Sequence, residues 1–211
     1  GLGAFIHSME AMPYLTFLAS GYIASSTMMS SSFEGMYAVF TRMVTQGTYS
    51  GMMNTPLKVD DILAGETLWA ATKGIFTSAA ILIVALLFGA VQSPWAVLAI
   101  PVGFLIGFAF VGMAMCISAF SPNYDFFNYY FTLFITPLFV LSGVFYPVET
   151  LPEVAQAIVG VLPLYHAVEL VRPLVAGTEL THPLLHLSVL LLYGGIGHYL
   201  AVVLTRRRLV V

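Results

Sequence analysis

Charged side chains are scarce in this sequence. Asp, Glu, Lys and Arg together make up 8% of the 211 residues, whereas hydrophobic residues make up 59%. Soluble domains carry roughly 25% charged residues, so a soluble fold of this length has too few charges to cover its surface. Several apolar runs reach the ~20 residues that a helix needs to cross a bilayer. The composition therefore excludes a soluble globular protein and predicts an integral membrane protein.

Cysteine is almost absent as well. The single Cys116 lies inside an apolar run, which excludes a disulfide framework and a thiolate metal cluster and favours a packing role. The sequence also lacks a G-x-x-x-x-G-K-[ST] phosphate-binding loop. We therefore expect that this chain binds no cofactor or metal, and that any energy source belongs to a partner.

Five apolar segments are long enough to cross a membrane, and they cover residues 14–32, 68–90, 95–120, 127–145 and 184–204. The opening GLGAFI is typical of the tail of a further apolar segment. We therefore expect residues 1–211 to form one transmembrane domain that is truncated at its N-terminus, with six spans in the full protein.

The basic residues predict the orientation of these spans, because short loops rich in Lys and Arg face the cytoplasm. Arg42, Lys58 and Lys73 flank the connection between the first two spans, and three consecutive arginines, 206–208, follow the last span. Both regions are therefore predicted to be cytoplasmic, which places the segment before the last span on the external side.

The long cytoplasmic connection is predicted to contain a short helix. Thr55-Pro56 interrupts the chain because proline disfavours helix at the preceding residue, and Asp60 then suits the N-cap of the next helix. Before the break, residues 42–54 include Gly47 and Gly51, which permit close approach of another backbone. A short helix held beneath the membrane by two spans is suited to transmit motion to those spans. The alternative is an interfacial loop that only joins the spans.

The external connection, residues 148–177, is cut by prolines into two pieces of about ten residues, half of what a span needs. Backbone polar groups in lipid must be satisfied internally, so such pieces persist as helices in the interface or against protein. We expect a re-entrant helical hairpin that forms a lid against the outer ends of the fourth and fifth spans. Its predicted lid residues are Val154, Ile158 and Val161 on the first arm, and Val168 and Val171 on the second.

Two stretches carry a resemblance to a known family. LSGVFYPVETLP with LPLYHAVELVRPLVAG resembles the signature of the type-2 ABC-transporter permeases, bacterial exporters of glycans, lipids and drugs. Within that family, the cytoplasmic stretch from FEGMYAVF to TLWAATKG is similar to the permeases that export nodulation factors, which are lipo-chitooligosaccharides. The resemblance covers essentially the whole chain. It implies an all-α, multi-pass permease in the bacterial inner membrane.

The resemblance also implies partners and sites. The family forms homodimers, so a homodimer with the translocation path at the subunit interface is implied here. Membrane lipids are implied as further partners, and nucleic acid is not. Two copies of a separate ATPase subunit are implied to bind ATP and magnesium, and a coupling helix within residues 42–54 is implied to dock into that subunit. The residues assigned to this coupling interface are Arg42, Gln46, Gly47, Thr48, Gly51 and Lys58.

Aromatic residues are abundant near the ends of the spans. Such residues are typical of the interfacial belt of membrane proteins, but some are expected to line the path, because sugar rings stack on aromatic faces. The predicted path residues are Tyr14, Phe17, Phe131, Phe139 and Phe145. The sequence leaves both roles open for each of them.

Glu34 lies near the cytoplasmic end of the first span, where a carboxylate faces the unfavourable end of the helix dipole. Two interpretations stay open. Glu34 forms a structural ion pair with Arg42, two turns later, or it lines an entrance used by polar head groups. Lys73 and Glu66, also two turns apart, are expected to pair with each other.

These features predict the membrane subunit of an ATP-driven exporter that moves an amphipathic glycan, lipooligosaccharide or related lipid-like substrate outwards. An ion-gradient-driven transporter or channel is the main alternative, but such proteins usually carry ionisable residues at mid-membrane or paired broken helices. A membrane enzyme acting on a lipid-linked sugar would depend on His166 and Glu169 alone, with no nucleophile beside them.

Overall fold

The structure of the chain is a computed structural model that describes residues 8–9 and 12–210. Nine α-helices lie within these residues, and their bounds are α1 Tyr14–Phe33, α2 Thr48–Met53, α3 Val59–Leu87, α4 Ala99–Phe120, α5 Phe126–Tyr130, α6 Thr136–Leu141, α7 Glu153–Val159, α8 Pro163–Ala176 and α9 Pro183–Val210. Two two-residue strands, β1 Ser8–Met9 and β2 Met12–Pro13, pair antiparallel before α1. The predicted all-α class is confirmed apart from this short pairing. The opening GLGAFI lies outside the described residues.

Single-turn elements connect several helices. Two π-helical turns, Glu34–Ala38 and Thr41–Thr45, continue α1 towards α2, and a third, Phe131–Ile135, joins α5 to α6. Two 3-10 turns, Pro94–Leu98 and Val148–Thr150, precede α4 and α7. Turns of π-helix are rare in proteins, and those that occur often lie at functional sites.

Within the described part of the chain, three helices are long and apolar enough to cross a membrane, namely α3, α4 together with its preceding turn, and α9. The pair α7 and α8 forms a fourth candidate, bent by 87°. The predicted spans 68–90, 95–120 and 184–204 therefore coincide with candidate spans. The predicted span 14–32 is helical but rich in serine, and the predicted span 127–145 is helical only to Leu141, in a short helix over 126–141. The count of five spans is thus not confirmed.

The serine and threonine side chains of α1 bind neighbouring helices. The hydroxyls of Thr27 and Ser78 are 2.9 Å apart between α1 and α3, and Ser31 donates to the carbonyl oxygen of Ala70 at 3.3 Å. Hydrogen bonds of this kind join helices where the surroundings are apolar. The same residues that lower the hydropathy of α1 therefore fasten it to α3.

Helix α4 is the centre of the bundle and packs against α1, α3, α8 and α9. Glycines allow the closest approaches. A Cβ atom at Gly74 would lie 2.3 Å from the carbonyl oxygen of Gly103, and one at Gly112 would lie 2.6 Å from the backbone of Gly197. Small residues at helix contacts permit van der Waals packing where no hydrophobic driving force operates.

The start of α3 differs from the prediction. Asp60 was predicted as the N-cap, but α3 begins at Val59 and the backbone N–H of Lys58 donates to Asp61 Oδ2 at 2.8 Å. Asp60 instead forms an ion pair with Arg206, near the end of α9. The Asp60 carboxylate, which the local sequence assigned to the start of the helix, therefore pairs with a residue far away in the sequence.

The external connection forms two helices, as the division by prolines predicted, and they begin next to Pro152 and at Pro163. They meet at 87°, so the predicted hairpin is a right-angle bend. The turn between them is held by side chains: His166 Nε2 donates to the carbonyl oxygen of Gly160 at 3.0 Å, and Tyr193 donates to that of Val161 at 3.0 Å. These hydrogen bonds hold the turn that sets α7 at a right angle to α8.

The two arms differ in burial. Val168 and Val171 of α8 are fully buried, and α8 packs against α1, α4 and α9. Val154, Ile158 and Val161 are exposed by 75%, 56% and 63%, so the predicted burial of the first arm is wrong for the single chain. The physical reason is the bend, which directs α7 away from the bundle. The function of this element as a lid stays a prediction.

Candidate functional site

Four charged side chains form a cluster at the end of the bundle that is predicted to face the cytoplasm (the inner end). Arg42 donates from Nε to Glu66 Oε1 at 2.7 Å and from Nη2 to Glu66 Oε2 and to Glu34 Oε1, the latter at 3.1 Å. Lys73 Nζ donates to Glu34 Oε2 at 2.5 Å. This charge cluster, Glu34, Arg42, Glu66 and Lys73, has two charges of each sign and is electrically balanced.

The contacts within the cluster differ in part from the predicted ion pairs. Glu34 makes the ion pair with Arg42 that was one of its two interpretations, while its use as an entrance stays a prediction. The expected pairing of Lys73 with Glu66 is wrong, because Lys73 binds Glu34 and Glu66 binds Arg42. Spacing along one helix suggested the wrong partner, because the two π-helical turns after α1 bring Glu34 and Arg42 closer.

Helix α2 lies within the predicted coupling segment 42–54 and connects to this cluster through Tyr49. It follows Gly47, whose φ of +62° is a left-handed conformation that favours glycine. Tyr49 is fully buried, and its hydroxyl donates to Glu66 Oε1 at 3.1 Å. Burial and the neighbouring Glu66 carboxylate raise the pKa of the Tyr49 phenol, so the hydroxyl remains a donor.

Arg42 stays charged within the cluster. Burial on its own lowers the pKa of this guanidinium, but the hydrogen bond and charge of Glu66, followed by those of Glu34, outweigh burial and raise the pKa overall. Arg42 thus pairs with Glu34 and Glu66 within its own chain, and its implied contact with an ATPase subunit stays a prediction.

The other predicted coupling residues lie at or near the surface. Gln46, Gly51 and Lys58 are exposed, and Gly47 and Thr48 are half-buried. A Cβ atom added at Gly47 or Gly51 would meet no atom within 4 Å. The outward side of α2 is therefore open in this chain, although its role as an ATPase contact stays a prediction.

Aromatic rings follow one side of α1 and of the helix from α5 to α6. At the outer end, Tyr22, Phe139 and Phe145 meet edge to face, with ring centroids 4.9–6.4 Å apart. Further inwards, Phe33 contacts Phe131 with centroids 4.5 Å apart. We call the set Tyr22, Phe33, Phe131, Phe139 and Phe145 the aromatic face.

The predicted path residues divide into two groups. Phe131, Phe139 and Phe145 are half-buried members of the aromatic face, whereas Tyr14 and Phe17 are buried in the bundle. Tyr22 and Phe33, exposed by 43% and 46%, were missed. Their helical spacing was the available signal, because residues 22, 26, 29, 33 and 37 fall on one side of a helix.

The signature turn after α6 is held by a buried arginine. Gly143 has a φ of +77°, and its carbonyl oxygen accepts a hydrogen bond from Nη2 of Arg172 at 2.5 Å. The Arg172 guanidinium also lies 3.8 Å from the centre of the Phe17 ring. Through this residue, α8 is attached to α1 and to the turn after α6.

His186 pairs with a histidine on another helix. Its Nδ1 lies 2.7 Å from Nδ1 of His166, which donates from Nε2 to Gly160. In a neutral His166, Nδ1 therefore accepts a hydrogen bond from the Nδ1–H group of His186. The pair fastens α8 to the outer end of α9.

Comparison with known proteins defines the class. Residues 4–175 match the family described as ABC-2 type transporter, and the chain belongs to this family of membrane transport proteins. It is a multi-pass membrane protein and a non-enzymatic transport permease, and permeases of this family generally pair with an ABC ATPase subunit.

Among individual proteins, the chain is similar to Nodulation protein J. It is 40% identical to that of Sinorhizobium fredii (strain NBRC 101917 / NGR234) over 209 residues, which cover 99% of this chain and 80% of the relative. The identity to Nodulation protein J of Rhizobium meliloti (strain 1021) is 38% with the same coverage of both chains. No solved structure matches the chain significantly.

Proposed function

We propose that this chain is the membrane-spanning subunit of an ATP-driven exporter in the bacterial inner membrane. It moves an amphipathic glycan, lipooligosaccharide or related lipid-like substrate outwards. Two copies of the chain work with two copies of an ATPase subunit, which binds the ATP and magnesium. The five helical segments 14–32, 68–90, 95–120, 127–145 and 184–204 cross the membrane in this proposal. Membership of the ABC-2 type transporter family and the similarity to Nodulation protein J support it.

The observation that carries the proposal is the two-sided character of α2. Tyr49 on its inward side is buried and bonded to α3, while the outward side around Gly51 is exposed and unfilled. A helix of six residues has little stability by itself, so its position depends on these contacts. An exposed, backbone-accessible surface that is firmly attached to the spans suits the docking of an ATPase subunit.

The docking surface is tested by Gly51→Leu in the permease purified with its ATPase subunit. Gly51 is helical, whereas a side chain at Gly47 would also strain a left-handed backbone, so Gly51 gives the cleaner result. We expect the variant permease to fold but to lose the ATPase subunit during purification. Gly195→Leu on α9 is the matched control, because that glycine also faces open space. Equal retention of the ATPase subunit in both variants would place the contact elsewhere.

The aromatic face supports the proposed substrate class. Its rings combine partly exposed apolar surface with positions along two neighbouring helices, and Phe131 lies in the third π-helical turn. Aromatic rings bind flat, partly apolar groups through their faces. We infer that the sugar part of the substrate passes along this face.

A transport assay tests this path. Inverted membrane vesicles with the complex take up a fluorescent N-acyl chitotetraose when ATP is added. We expect Phe139→Ala to lower uptake, and Phe76→Ala, at an exposed position on α3, to leave it unchanged. Equal effects of the two substitutions would contradict the path, and ATP-independent uptake would contradict the proposed energy source.

A further inference from the structure

Tyr49 is the buried anchor of α2. Its side chain has no exposed surface, whereas the adjacent Ser50, Gly51 and Met52 are exposed. Helix α2 packs against α3 and against the π-helical turn Thr41–Thr45 before it. A force on the outward side of α2 therefore reaches the bundle largely through the contact that Tyr49 makes and through that turn, which contains Arg42.

Both routes meet at one carboxylate. Glu66 Oε1 accepts hydrogen bonds from the Tyr49 hydroxyl at 3.1 Å and from Arg42 Nε at 2.7 Å. Arg42 also donates to Glu34, which in turn accepts from Lys73. The hydrogen bonds thus form one continuous series from α2 to α3, to the inner end of α1, and back to α3 two turns further on.

Burying these charges has a cost that anchoring a helix does not require. Glu34 and Glu66 are only 8% and 9% exposed and lose most of their hydration. Well-packed apolar residues of similar volume hold helices at least as firmly as buried ion pairs do. A hydrogen-bonded ion pair differs in that its partners are fixed, because separating them leaves an uncompensated buried charge.

This difference bears on motion. Apolar surfaces can slide past each other with small changes in contact, whereas the partners of a buried ion pair have to move together. A displacement of Tyr49 is then followed by Glu66, and a displacement of Glu66 is followed by Arg42 and Glu34. The cluster converts a shift of α2 into a relative shift of α1 and α3.

We propose that the charge cluster carries the motion of α2 to α1 and α3, and that Tyr49, Glu66 and Arg42 are positioning residues of the transport cycle. This inference rests on the proposed docking of α2 to an ATPase subunit. It requires that nucleotide binding rearranges the helices around the aromatic face only while the hydrogen bond between Tyr49 and Glu66 is intact.

The test uses Tyr49→Phe, which keeps the buried ring and removes the hydroxyl. Spin labels are placed at Phe76 on α3 and Leu133 before α6, both exposed and outside α2 and the cluster, in a Cys116→Ala background. Double electron–electron resonance measures the distance between them, with and without ATP and vanadate, in the complex with the ATPase subunit. We expect the ATP-dependent change in the populations of the measured label–label distances to fall about ten-fold, within the range of allosteric coupling. Co-purification with the ATPase subunit and basal ATP hydrolysis are expected to persist.

Further variants separate transmission from folding. Glu66→Gln, which keeps the size of the side chain, is expected to reproduce the loss, and Ser50→Ala on the exposed side of α2 is the control. The double variant Tyr49→Phe/Glu66→Gln is expected to be no worse than Glu66→Gln, because both substitutions interrupt one series of bonds.

Three results would overturn the inference. An unchanged distance response in Tyr49→Phe would place transmission elsewhere, additive losses in the double variant would mean separate routes, and loss of the ATPase subunit in both single variants would make the cluster a support for docking. A parent complex without ATP hydrolysis would instead contradict the proposed function. The two failures are therefore distinguishable.

Discussion

Arg172 illustrates how a single residue holds a charge inside an apolar protein. Its side chain is 5% exposed, its Nε lies 3.4 Å from the Ser20 hydroxyl, and its Nη2 binds the carbonyl oxygen of Gly143. The ring of Phe17 beneath the guanidinium adds a cation–π contact. These contacts offset the loss of hydration, and they attach α8 to α1 and to the turn after α6.

Replacing Arg172 by Leu is expected to destabilise the protein by about 1–3 kcal/mol, because the buried carbonyl of Gly143 loses its donor. Thermal unfolding of the purified protein in detergent measures the change. Arg207→Leu is the control, since Arg207 is exposed and surface substitutions have small effects. Equal midpoints for the two variants would show that Arg172 does not hold the turn.

At the scale of elements, α7 and α8 both contain several aliphatic residues but have different surroundings. Val171 of α8 is fully buried among α1, α4 and α9, whereas Ile158 of α7 is more than half exposed. The bend between the helices separates a packed arm from an open one. Only the packed arm contributes to the core of the single chain.

This contrast predicts opposite outcomes for the same chemical change. Val171→Asp puts an unpaired charge into a closed contact and is expected to prevent stable folding. Ile158→Asp is expected to leave the unfolding temperature unchanged and, if α7 covers an outward exit, to impair export. Size-exclusion profiles and thermal unfolding compare the two variants. A loss of folded protein in Ile158→Asp would show that α7 is buried in the assembled permease.

At the scale of the whole molecule, the positions of the basic residues predict the orientation of the bundle. Arg42 and Lys73 are in the charge cluster, and Arg206 pairs with Asp60 at the start of α3. The structure thus brings these basic residues to the same end of the bundle. This grouping agrees with the rule that short cytoplasmic loops are rich in Lys and Arg.

Reporter fusions test this orientation. A phosphatase that is active only outside the cytoplasm is expected to be active when fused after residue 178 and inactive when fused at the C-terminus. A fluorescent protein that folds only in the cytoplasm provides the complementary control at both positions. Reversed signals would contradict the assigned orientation.

Sequence was sufficient for features that depend on nearby residues. Long apolar runs predicted α3, α4 and α9, since a helix is the way to satisfy backbone groups in lipid. The prolines of the external connection predicted two short pieces, because proline interrupts a helix, and α7 and α8 begin next to Pro152 and at Pro163. The family was also recognisable from sequence, because its signature lies in two short stretches, residues 141–152 and 162–177.

The tertiary structure alone decided which distant residues meet. The partners of Lys73 and Glu66 come from the two π-helical turns after α1, and Tyr49 reaches Glu66 from α2, so spacing along one helix could not identify them. The exposure of α7 depends on the 87° bend, and the aromatic face depends on how α1 lies beside α6. Helix formation is a local property of the chain, whereas the order and angles of helices are set by packing against α4.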